Sequence, residues 1–151
     1  MLNYYIDLSE RILTKAKLEE DSTTLRKELY YISISSLERK INTDELKRIF
    51  WVNIYNAYVL IMKKEQTKPK LFFKLNRIKI SHYLLSLNDI KYGILRVKKF
   101  EIGFYKIYNP FYSTFIKNLA VNKIDNSINQ SLDKINLSNT PEVEKNEFNL
   151  F

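Results

Sequence analysis

INTDELKRIFWVNIYNAYVLIMKK, residues 41–64, contains the longest apolar run of the chain, from Ile49 to Met62. Leu46, Ile49, Phe50, Asn53, Ile54, Ala57, Tyr58 and Ile61 recur at steps of three and four, which predicts a helix with one face against a core. Asn42 followed three residues later by Glu45 reads as a capping pair that satisfies free backbone donors at the helix start. Two carboxamides, Asn53 and Asn56, interrupt the apolar face. A buried carboxamide without partners costs about 1–3 kcal/mol, so both are expected to bond backbone groups of a neighbouring loop or strand. The alternative is that one of them orients a catalytic group or donates to an oxyanion.

Upstream, Tyr5, Leu8, Ile12 and Ala16 keep the four-residue spacing of one helical face over residues 2–17. Asp21, Ser22 and Thr23 then form a polar start signal, and Leu25, Leu29, Ile32 and Leu37 continue a helical face towards Arg39 and Lys40. Ile32 and Ile34 alternate with serines, which leaves a strand open there. Downstream, residues 63–79 are basic, hold Pro69, Phe72 and Phe73, and read as a loop. Its phenylalanines are expected to anchor that loop on the core; the competing reading gives them to base stacking and the lysines to phosphates. Ile78 and Ile80 alternate with charged residues as a short strand does. Ser86 with Asp89 makes a second capping pair, and a helix is expected over residues 87–96. Gly93 lies inside it, where glycine costs about 1 kcal/mol relative to alanine and suggests close approach of another backbone. Residues 100–119 are rich in aromatics around Pro110 and read as two amphipathic pieces joined by a proline turn.

At 151 residues the chain has the size of one domain. It has no cysteine and one histidine, His82, so disulfides, thiolate metal sites and most histidine chemistry are excluded within it. We expect no metal and no cofactor, and take His82 as a surface or satisfied loop residue. The formal net charge of +8 favours anionic surroundings, nucleic acid or anionic lipid, although no nucleic-acid reading motif accompanies it. Residues 49–62 fall short of the roughly 20 that a spanning helix needs, and Asp7, Glu10 and Arg11 interrupt any signal-like run. As written, the chain reads as soluble and cytoplasmic. From Asp125 onward it becomes rich in asparagine and serine, with two lysines against five carboxylates. This divides it into a domain over residues 1–124 and a polar, loosely attached tail over 125–151.

FWVNIYNAYVL (residues 50–60) and LSLNDIKYGILR (residues 85–96) together resemble the domain of unknown function 547. Members of that family carry an aromatic-Trp-x-Asn-x-Tyr-Asn-Ala helix, then a Ser-Leu-x-Asp-Ile-Glu-His-Gly-Ile-Leu-Arg segment. Trp51, Asn53, Tyr55, Asn56 and Ala57 match the first block, and Ser86, Leu87, Asp89, Ile90, Gly93, Ile94, Leu95 and Arg96 match the second. The resemblance spans about residues 40–124. It implies an α+β fold, the mostly helical N-terminal part of a papain-like or transglutaminase-like domain, and a histidine–cysteine pair suggestive of thiol hydrolysis.

The chain departs from the family at the positions such chemistry needs. Lys91 and Tyr92 stand where the family has Glu-His, and the cysteine segment found further on in relatives does not occur. Ser127 and Asn129 fall about where its arginine and histidine are expected. Serines such as Ser127 and Ser131 lack a base to take their proton. The resemblance therefore implies a catalytically inert, truncated or divergent member. Truncation by a frameshift near Asp125 is the favoured origin. The alternatives are a paralogue that binds a partner or ligand through the Asn-Tyr-Asn helix, and a basic nucleic-acid module. Relatives often carry an export signal, which qualifies the cytoplasmic reading.

Overall fold

A computed structural model describes residues 3–96, 99–102, 105–108 and 113–122. The polar tail, including Ser127, Asn129 and Ser131, lies outside the described residues, as does the Pro110 turn. Four helices come first: α1 (Tyr4–Lys17), α2 (Thr23–Tyr31), α3 (Ile34–Lys40) and the long α4 (Asp44–Lys64). A single 3-10 turn (Pro69–Leu71) leads to a hairpin of β1 (Ile78–Ile80) and β2 (Tyr83–Leu85). Next come a π-helix (Asp89–Leu95), a second hairpin of β3 (Lys99–Ile102) and β4 (Tyr105–Tyr108), and α5 (Thr114–Leu119). The class is α+β and mostly helical, with two separate antiparallel ladders of two strands among the described residues.

α4 is the axis of the core. Its Phe50, Trp51, Ile54, Tyr55, Ala57, Val59 and Met62 are fully buried, against Leu8 and Ile12 of α1, Leu29 of α2 and Leu37 of α3. The helix starts one residue later than the sequence suggests. Thr43, not Asn42, is the cap, its hydroxyl accepting from Leu46 N–H at 3.2 Å. Asp44 and Glu45 in the first turn and Lys63 and Lys64 in the last complement the helix dipole. The strand left open around Ile32 does not form. Ser33 instead caps α3 by accepting from Ser36 N–H, so its side chain restarts a helix.

The β1–β2 turn is Ser81-His82, with φ of 50° and 65°. Two-residue hairpin turns need this left-handed backbone and usually take Asn-Gly, because a Cβ there costs roughly 1–2 kcal/mol. Here tertiary bonds hold it. Ser81 N–H donates to Leu29 O (3.1 Å), His82 N–H to Tyr30 O (2.9 Å) and Ser81 Oγ–H to Ile32 O (2.7 Å), satisfying the last carbonyls of α2. The exposed His82 ring meets Tyr30 and Tyr31 edge-on, at centroid distances of 4.8 and 5.4 Å.

Within residues 100–119, the expected amphipathic pieces give way to a hairpin and a short helix. Lys99, Phe100, Glu101 and Ile102, then Lys106 and Ile107, alternate with period two. That strand signal was outweighed in the sequence by the density of aromatic residues.

Candidate functional site

The two motif blocks meet where α4 packs on the π-helix. The predicted capping pair forms in full: Ser86 N–H donates to Asp89 Oδ2 (2.8 Å) and Asp89 N–H to Ser86 Oγ (3.1 Å). The helical segment that this pair opens is wider than the expected α-helix. Arg96 N–H reaches back five residues to Lys91 O at 2.9 Å, and a full seven-residue π stretch is rare outside functional or strained segments. Gly93 is buried within it. The backbone approach expected there is made one residue on, where Val121 N–H donates to Ile94 O at 3.0 Å. Lys47 Nζ to Ala120 O (3.0 Å) and Asn122 N–H to Asp44 Oδ1 (2.8 Å) fasten the end of α5 to the start of α4 as well.

The motif side chains of α4 are divided between two neighbours. Asn53 Nδ2 donates to Ser9 Oγ at 3.1 Å, and Ser9 Oγ–H donates to Ile6 O, so this asparagine is satisfied by a side chain of α1 rather than by a loop backbone. Ser9, buried and 44 residues away, carried no sequence signal that marked it as the partner. Trp51 and Tyr55 are 0% exposed, with Phe50 edge-on to Trp51 at 5.0 Å. Trp51 Nε1 and Asn56 Oδ1 are buried and have no hydrogen-bond partner among the described residues. Asn56 thus differs from the expectation that both carboxamides would be paired.

On the π-helix, Lys91 is 0% exposed, and its Nζ lies 5.5 Å from the centre of the half-buried Tyr92 ring. Arg96 approaches the same ring at 5.6 Å. Two cations on one ring give Tyr92 a binding partner of its own through the ring quadrupole. Lys91 and Tyr92 thus place a buried amine beside an aromatic ring.

A second polar cluster joins α2, α4 and β1. Tyr58 is buried; burial pushes its hydroxyl above the usual 10.0, while Arg26, Arg77 and the Lys79 backbone pull it partly back. Arg26 Nε–H also donates to Ser22 Oγ (3.0 Å), and Arg77 forks onto Glu65 (2.7 and 3.2 Å). Because the folded-state value is raised, the contribution of Tyr58 to stability is complete below pH 10 and declines as pH climbs from there through the folded value. Tyr58→Phe is expected to flatten the alkaline part of the stability profile, which thermal melts between about pH 8 and 11 would register.

The basic loop resolves one sequence alternative. Phe72 and Phe73 are buried and edge-on to each other at 5.1 Å, so the loop's rings anchor it on the core and present no stacking surface. Among the described residues, no group of three or more His, Asp or Glu could hold a metal, and no helix is long and apolar enough to cross a membrane.

No curated protein and no solved structure matches the chain. The family described as "Protein of unknown function, DUF547" matches residues 39–144 of the 151, a span that contains both motif blocks and the packed helices carrying them. By that match the chain belongs to the DUF547 family.

Proposed function

We propose that this chain is a catalytically inert member of its family, in which the motif blocks serve as a packed scaffold instead of covalent chemistry. One observation carries the reading: the large motif side chains are taken up by the core. Trp51 and Tyr55 are fully buried, Asn53 is bonded to Ser9, and a fully buried Lys91 holds the place of the acid in the Glu-His pair. A thiol-hydrolase mechanism on a papain-like or transglutaminase-like frame needs an activatable sulfur and an imidazole beside it. The chain has no cysteine, and its one histidine sits in the β1–β2 turn against α2.

The family match continues to residue 144, across the change of composition at Asp125, which supports a tail read in frame and a divergent member over a frameshift. A His-Phe-x-Leu-x-Cys-Gly-like segment in another reading frame downstream of Asp125 would reverse that preference. The burial of Tyr55 also argues against an open groove along the Asn-Tyr-Asn helix. To test inertness, purified protein is offered a panel of aryl esters and peptide amides. Rates equal to the blank are expected; turnover that Ser127→Ala or Ser131→Ala abolishes would refute the reading.

A further inference from the structure

The loop between α4 and β1 places an apolar pair in a field of lysines. Residues 63–79 hold seven basic side chains and one acidic one, Glu65, which is engaged by Arg77. Leu75 N–H bonds Leu71 O at 2.8 Å and Lys74 N–H bonds the same carbonyl at 3.1 Å, so this stretch coils as a helical turn. Leu71 and Leu75 therefore stand one above the other, four residues apart, with Lys70 and Lys74 beside them at the same spacing. Both leucines face solvent, at 45% and 39% exposure, while Phe72 and Phe73 point the other way into the core. Asn88 N–H to Phe73 O (3.0 Å) pins the loop to the start of the π-helix, so the exposed face is presented by a rigid base. Among the described residues, the side chains of Lys68, Lys70 and Lys74 are exposed and enter no hydrogen bond or ion pair.

We infer that this loop is a docking surface for an anionic lipid bilayer, with Lys68, Lys70 and Lys74 at the headgroup phosphates and Leu71 and Leu75 inserted at the acyl boundary. Charge complementarity selects an anionic partner, and the kind of apolar side chain separates the two candidates. Single-stranded nucleic acid is held by stacking on exposed aromatic rings, and here those rings are buried. Aliphatic leucines offer nothing to a base but partition into the interface of a membrane, and basic residues beside them add attraction to acidic headgroups.

The test is co-sedimentation of the full chain with vesicles of phosphatidylcholine alone and of phosphatidylcholine with an equal part of phosphatidylglycerol, at moderate salt. Binding to the mixed vesicles only is expected. Leu71→Ser with Leu75→Ser should weaken it on the order of tenfold, and neutralising the three lysines to glutamine on the order of a hundredfold. All five side chains are exposed, so circular dichroism should show unchanged folding. Absence of sedimentation, binding unaffected by the leucine changes, or retention by single-stranded DNA in place of vesicles would overturn the inference.

Discussion

Trp51→Ala is expected to lower the free energy of unfolding by about 3–5 kcal/mol, the cost of deleting a large fully buried ring and leaving a cavity. Trp51 is 0% exposed at the centre of α4, wedged edge-on against Phe50, so there is little room for neighbours to close the gap. Trp51→Phe makes the informative contrast. It leaves a smaller void, but it also removes Nε1–H, a buried donor without a partner among the described residues, whose desolvation costs about 1–3 kcal/mol. The two terms oppose each other, and a net change within about 1 kcal/mol is expected. Urea unfolding followed by circular dichroism measures both variants. A Trp51→Phe cost as large as that of Trp51→Ala would mean that the indole N–H is paired after all.

Lys91→Glu, which puts an acid where the proposed motif correspondence would have one, is expected to destabilise by about 3–5 kcal/mol. Lys91 is completely buried, with its Nζ 5.5 Å from the centre of the Tyr92 ring. A carboxylate in that place loses the ring's attraction and has to give up its hydration. Lys91→Met keeps most of the stem without charge and should cost clearly less. If Lys91→Glu were tolerated while Lys91→Met were not, the site would be one that accepts an acid, and the scaffold reading would lose its main support.

Much of this architecture was open to inspection in the sequence, because its signals are local. The periodicity of residues 46–61 located α4, and the Ser86–Asp89 pair located the start of the helical segment carrying the second motif. Phe72 and Phe73 behave as loop anchors, as their place among lysines suggested. The departures have identifiable causes. Asn42 and Thr43 are both competent caps one residue apart, and spacing to Glu45 favoured the wrong one. A π-helix shares the composition of an α-helix, and its extra residue per turn leaves no mark in an apolar pattern this short. The Asn53–Ser9 bond joins residues 44 apart, a pairing set by how α1 lies on α4. The Ser81-His82 turn lacks the glycine that normally announces its backbone, because the carbonyls at the end of α2 supply the restraint.

The site divides in the same way. How the side chains of the two blocks engage the core could not be read from the sequence. Single letters do not distinguish an asparagine that orients a catalytic group from one that ties two helices together.

The proposal of catalytic inertness is tested by labelling the native protein with a serine-reactive fluorophosphonate and weighing the product intact. No adduct is expected on the folded protein beyond the level found after denaturation. One equivalent attached to a single residue of the native form, and lost on unfolding, would contradict it.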